Sequence, residues 1–111
     1  MIFEIPTDAT AADFRISTQL DGSTYLLDLT WVSRADAWFL WLYLQTDTTP
    51  VPIVQGQRLS CGYPLLIGVT AAGRPPGELF ALDLNGQGDA GRDDLGGRVK
   101  LFYFDTDALS G

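Results

Sequence analysis

Histidine is missing from this chain of 111 residues, cysteine and lysine each occur once, and cations number only 7 in all. Without histidine the chain has neither the commonest general base nor the commonest transition-metal ligand, so triad hydrolases and His-based zinc sites are excluded. Cys61 alone forms no intrachain disulfide and no Cys-rich zinc cluster; it reads as a small apolar filler beside Gly62 in a protein folded in a reducing cytoplasm. The 7 cations stand against 14 acids, a formal charge of −7. They are scattered singly, whereas phosphate neutralisation needs clustered Lys and Arg, so neither nucleic acid nor an anionic membrane is an expected partner. Long apolar runs are lacking too. Trp38 to Leu44 is seven residues, far short of the about 20 that span a bilayer. The start, Met1 to Pro6, has neither the basic region nor the apolar run of a signal peptide. The expectation is a soluble protein.

No stretch of ten or more residues carries a helical stripe, and what is present alternates. Phe14, Ile16, Thr18 and Leu20 alternate with Arg15, Ser17 and Gln19. Asp21-Gly22 then announces a hairpin, because glycine tolerates the positive φ that a tight turn needs. In Thr24 to Val32, Tyr25, Leu27, Leu29 and Trp31 take one face and Thr24, Asp28 and Thr30 the other, the period of a half-buried strand. After the turn Ser33-Arg34-Ala35-Asp36, Trp38, Leu40, Leu42 and Leu44 make one face of the next strand while Phe39, Trp41 and Tyr43 make the other. Neither face suits water. Gln55 to Ser60 reads as a weak strand with a bulge at Gly56. Leu79 to Leu84 and Val99 to Phe104 are further strands, the last with Val99, Leu101 and Tyr103 on one face and Phe102 and Phe104 on the other. Tyr63 to Val69 is too short to tell strand from helical turn. The fold class is all-β: one domain over 1–111, with about seven short antiparallel strands in a partly closed barrel, or alternatively a two-sheet β-sandwich. Residues 1–13 read as an N-terminal arm able to add to a neighbour's sheet, and 105–111 as a flexible tail.

Three groups of residues invite chemistry. Asp83, Asn85, Gln87, Asp89 and Asp94 space oxygen side chains like a calcium loop, with glycine at the sixth position. The third ligand is glutamine, the twelfth position is Asp where bidentate Glu is usual, and strands flank the loop, so a plain polar loop without metal is expected. Asp83, Asp89, Asp93 and Asp94 also supply carboxylates for glycoside hydrolysis, but nothing sets two of them across a cleft of about 5–9 Å. No catalytic residues and no cofactor are assigned. The aromatic side chains of the central hairpin suit either a sugar or peptide platform or a protein interface. With no basic groove beside them, core plus interface is the better account. The residues expected at the interface are Phe39, Trp41, Tyr43, Phe102, Phe104, Ile2 and Phe3, with Arg34 reaching Asp36 or a partner's carboxylate from the hairpin loop.

The segments Ile5-Pro6-Thr7, Leu20-Asp21-Gly22 with Tyr25, Trp31-Val32-Ser33-Arg34 with Trp38 and Tyr43, and Pro64-Leu65-Leu66 occur in an order that continues through Pro76-Gly77-Glu78-Leu79 with Asp83, and Asp94 to Val99 with Tyr103. Together they resemble the small baseplate plug family of contractile-tailed bacteriophages, first seen in a cyanophage baseplate. Where the family pattern has Asn two residues after the first Trp, this chain has Ser33. The resemblance implies a virion structural protein, not an enzyme, made in the host cytoplasm and carried in the tail baseplate. It would sit near the tail axis where the hub meets the tube, touching hub, tube or wedge components in a threefold or sixfold setting. The alternative function is a small carbohydrate- or peptide-binding β-module that uses the aromatic hairpin.

Overall fold

In the computed structural model, which describes residues 2–7, 10–86 and 88–110, seven strands and one short helix follow one another. They are β1 (Ile2–Ile5), β2 (Asp13–Leu20), β3 (Ser23–Val32), β4 (Ala37–Leu44), β5 (Val51–Arg58), β6 (Glu78–Asp83), β7 (Val99–Phe104) and α1 (Thr106–Ser110). Met1, Asp8, Ala9, Gln87 and Gly111, which belong to the expected arm, calcium-like loop and tail, lie outside the described residues.

The strands form two antiparallel sheets, β2-β3-β4-β5 and β1-β7-β6. The strand number agrees with the sequence expectation, and the two sheets are those of its sandwich alternative; no closed barrel is found, since no ladder joins the sheets among the described residues. Their inner faces share one core. The larger sheet contributes Leu27, Leu29, Trp38, Leu40 and Leu42, the smaller one Leu79, Leu101 and Tyr103, and the connecting segments Leu65, Leu66 and Leu95.

Local chemistry explains the register of the larger sheet. Asp21 and Gly22 both have positive φ, 50° and 87°, the conformation of the two-residue turn that matches strand twist. That turn sets Leu20 opposite Ser23 and carries the pairing unbroken to Asp13 opposite Thr30. β5 slips twice against β4, between Leu40 and Trp41 and between Leu42 and Tyr43. The first slip is the bulge expected at Gly56. The second turns both Ile53 and Val54 into the core, at 7% and 6% exposure, which strict alternation forbids.

The connection from β5 to β6 is neither strand nor helix. Tyr63 to Val69 is a run of turns closed by Ile67 N–H to the Pro64 carbonyl and Val69 N–H to the Leu66 carbonyl. It is pinned from two sides. Arg74 donates to the carbonyls of Leu66, Val69, Pro75 and Gly77 at 2.9–3.3 Å, and Glu78 accepts from the Leu66 and Leu79 N–H groups at 2.6 and 2.9 Å.

The termini depart from expectation. Ile2–Ile5 is no free arm: it pairs with β7 of its own chain from Ile2 opposite Phe104 to Ile5 opposite Leu101, and Ile5 is buried in the core. The expected tail contains a helical turn, with the Asp105 carboxylate capping the Ala108 N–H at 3.0 Å.

Candidate functional site

The outer face of the larger sheet is a grid fixed by register. One row runs Asp13, Thr30, Phe39, Arg58; the next Arg15, Asp28, Trp41, Gln55; the third Ser17, Leu26, Tyr43, Pro52. Phe39, Trp41 and Tyr43 therefore line up along β4, all three half-buried and on the side away from the core, as their alternation predicts. Neighbours cover part of each ring. Trp41 lies against Gly56, where a Cβ would stand in ordinary contact 3.5 Å from the indole; the positive φ of 76°, and not lack of space, calls for glycine there. The Arg15 guanidinium sits 5.8 Å from the Tyr43 ring centre while it grips Asp28 through two hydrogen bonds of 2.6 and 2.9 Å.

The outer face of the smaller sheet is more apolar. Phe104 packs edge-on against Phe80 with centroids 5.0 Å apart, and β1 places Ile2 beside Phe104. Phe102 lies between Glu4 and Phe80, and Leu82 is opposite Lys100, which itself is 3.7 Å from Glu4. Phe80 and Leu82 were not among the expected interface residues, although Glu78, Phe80 and Leu82 share a face by simple alternation. Ile2 and Phe3 part company: Ile2, 54% exposed, joins this patch, whereas Phe3, 42% exposed, pairs with Tyr103 on the opposite side. Arg34 is exposed in the β3–β4 loop, apart from both patches, and makes no ion pair with Asp36 among the described residues.

The calcium-like loop already encloses a cation, the guanidinium of Arg98. Arg98 lies 2.8 Å from Asp83 and 2.9 Å from Asp94, and also donates to the carbonyls of Gly88 and Asp89 at 2.9 Å. Asp89 turns instead to the Cys61 N–H, at 2.8 Å. Among the described residues no cluster of three or more His, Cys, Asp or Glu has the disposition of a metal site. Burial, and after it the carboxylates of Asp89 and Asp83, push the Cys61 thiol up, away from the thiolate a nucleophile needs.

The Arg98 hydrogen bond, followed by the Gly91 N–H, holds the Asp94 carboxyl below its usual range. A depressed folded-state value stabilises the fold above the unfolded value and is lost as pH falls through the folded one. Thermal midpoints should therefore fall on acidification below about pH 4, and Asp94→Asn should flatten that limb. A melting series from neutral to strongly acid pH checks this; an unchanged acid limb in the variant would assign the acid sensitivity to other carboxylates.

A family model described as cyanophage baseplate Pam3 plug gp18 matches residues 2–107. The chain belongs to this family. No curated protein matches it. Membership in the plug family carries a structural role in a phage tail baseplate, as the sequence resemblance implied. The segments that carry the resemblance have a common task in the fold. Tyr103 donates to Asp21 at 2.6 Å and accepts from Gly77 N–H at 2.7 Å; Asp94 and Arg98 close the acidic loop; Trp38 Nε1 donates to the Gly91 carbonyl at 3.0 Å. These plug-family residues tie loops to sheets. Of the outward aromatic residues, Tyr43 alone belongs to those segments.

Proposed function

We propose that the chain is a plug subunit at the junction of tail tube and baseplate hub in a contractile tail, present in several copies in a threefold or sixfold setting. Hub, tube or wedge components would hold it through its outer aromatic faces. The family match over residues 2–107 carries this proposal. The two faces add physical support, because half-exposed Phe39, Trp41, Tyr43, Phe80, Phe102 and Phe104 gain most from burial against protein. The role is structural and not enzymatic. Asp83 and Asp94, the most plausible carboxylate pair, are both engaged by Arg98, and neither metal nor cofactor is part of the proposal. Nucleic acid and membrane are likewise left out: Arg15, Arg74 and Arg98 spend their charge on bonds within the chain.

Purified phage particles provide the test. The chain should be present in them, with density at the tube end of the baseplate. Phe102→Glu, on the outer face, should leave the isolated chain folded, with about 1 kcal/mol lost at most, yet reduce its copies per particle severalfold. Particles that carry the full complement of Phe102→Glu and Trp41→Glu chains would show that neither face is the contact. A chain absent from particles and binding glycan as a monomer would favour the β-module instead.

A further inference from the structure

Two sheets have four edges, and three of them are guarded. β6 is covered by the loop that precedes it, through Gly62 N–H to the Ala81 carbonyl at 2.8 Å and Leu65 N–H to the Leu79 carbonyl at 2.9 Å. β5 carries Pro52, which has no N–H to offer, and two register slips. β1 has only four residues and runs into Pro6. β2 is different. It has eight residues without proline, glycine or bulge, paired to β3 in unbroken register, and among the described residues no strand lies along its other side.

The turn decides which groups face outward. In a two-residue hairpin the closing pair, here Leu20 and Ser23, exchanges hydrogen bonds. Leu20, Thr18, Ile16 and Phe14 thus direct their backbone to β3, and the Trp31 N–H bond to the Ala12 carbonyl, at 2.7 Å, continues the same parity. Asp13, Arg15, Ser17 and Gln19 direct theirs to the open edge. Behind that edge the core is incompletely covered, with Phe14 and Ile16 only half-buried.

We propose that this edge pairs with the β2 edge of a second copy, antiparallel and centred on Ile16, as the free chain's dimer. In that register Arg15 faces the partner's Ser17 and Asp13 faces the partner's Gln19, so every like charge is kept from its equal and each Asp13 carboxylate meets an amide donor. Phe14 meets the partner's Thr18, and Ile16 meets its own equivalent on the two-fold axis, covering the flank of both cores. Arg15 and Asp28 neutralise each other, which leaves Asp13 as the one uncompensated charge of this edge, whereas the chain as a whole carries −7. Two copies therefore approach here with less repulsion than the whole-chain charge sets. The pairing goes beyond the baseplate role and is independent of it: a two-fold dimer is a state of the chain before it enters an assembly with the symmetry of the tail.

Light scattering on the purified chain should give twice 12.1 kDa. Amide exchange should show protection at Asp13, Arg15, Ser17 and Gln19 as well as at Phe14, Ile16 and Thr18; an open edge would protect only the second set. Ser17→Pro removes an outward N–H and no bond to β3, so it should yield a folded monomer. Ser17→Lys sets lysine against the partner's Arg15 twice and should weaken the dimer roughly tenfold, while Ser17→Glu should tighten it by a similar factor. General repulsion between acidic chains demands the opposite signs, so that result would overturn the register. A monomeric wild-type chain, or a dimer indifferent to Ser17→Lys and Ser17→Glu, would overturn the proposal whether or not Ser17→Pro folds. None of these outcomes bears on whether the chain occurs in phage particles.

Discussion

Gly77→Ala is expected to destabilise the fold by roughly 3 kcal/mol, through overpacking and the loss of one buried hydrogen bond. Gly77 has an ordinary negative φ, so space, and not backbone freedom, requires the glycine. A Cβ at this position would fall on the Phe104 carbonyl oxygen and stand 2.6 Å from the Tyr103 hydroxyl. Neither neighbour can yield. The carbonyl belongs to the backbone of the central strand of the smaller sheet, and the hydroxyl is held between the Gly77 N–H and the Asp21 carboxylate. Burial, and then Asp21, push the Tyr103 phenol well above its ordinary range, so it remains a donor throughout the accessible pH range. Tyr103→Phe removes both bonds of the hydroxyl, to Asp21 and from the Gly77 N–H, but without the clash, and should be the milder change, about 1–3 kcal/mol. Urea unfolding of both variants measures the difference. A Gly77→Ala chain as stable as the parent would mean that the Pro75–Glu78 segment shifts freely, and that Tyr103 does not fix it.

The strands and the hairpin were legible because their causes are local. Alternation over eight to ten residues and an Asp-Gly turn are enough to place β2, β3 and β4 and to orient Phe39, Trp41 and Tyr43 outward. Strand partnership between distant segments was not legible. β1 and β7 are separated by almost the whole chain, and nothing in Ile2–Ile5 distinguishes an edge strand of its own sheet from an arm bound for another. The same limit left the choice between a partly closed barrel and a two-sheet sandwich open, since closure of a barrel is a matter of which edges meet. The slip that buries both Ile53 and Val54 has no periodic signature at all.

Charged residues were the hardest to read. By sequence Arg98 is one of several singly scattered cations and the acids before it are spaced like a calcium loop; in the structure those oxygen atoms converge on its guanidinium. Arg74 is similar, a loop arginine by sequence and a clamp on four carbonyls in the structure. Such bonds run from side chain to backbone, so no pattern of residue types reveals them. By contrast, Phe80 and Leu82 lay within reach of the alternation that had already exposed Phe102 and Phe104.

Deleting Ile2–Ile5 is expected to remove cooperative folding, the opposite of what a loosely tethered arm would do. The four residues supply one edge ladder of a three-stranded sheet, and without them that sheet is a two-stranded ribbon of β6 and β7, marginal in isolation. Ile5, 2% exposed, contributes directly to the shared core, and its truncation alone, as Ile5→Ala, should cost about 2–4 kcal/mol. Adding the lost ladder and the uncovered side of Leu101 and Tyr103 brings the change into the range of a whole small domain's stability, about 5–15 kcal/mol. Pro6 does not weaken this, because it follows the last paired residue and takes no ladder bond away. Circular dichroism melts on the truncated chain, with Ile5→Ala beside it, decide the matter. A truncated chain that still melts cooperatively within a few degrees of the parent would show that β1 is dispensable packing, and would restore the arm as a segment free to pair elsewhere.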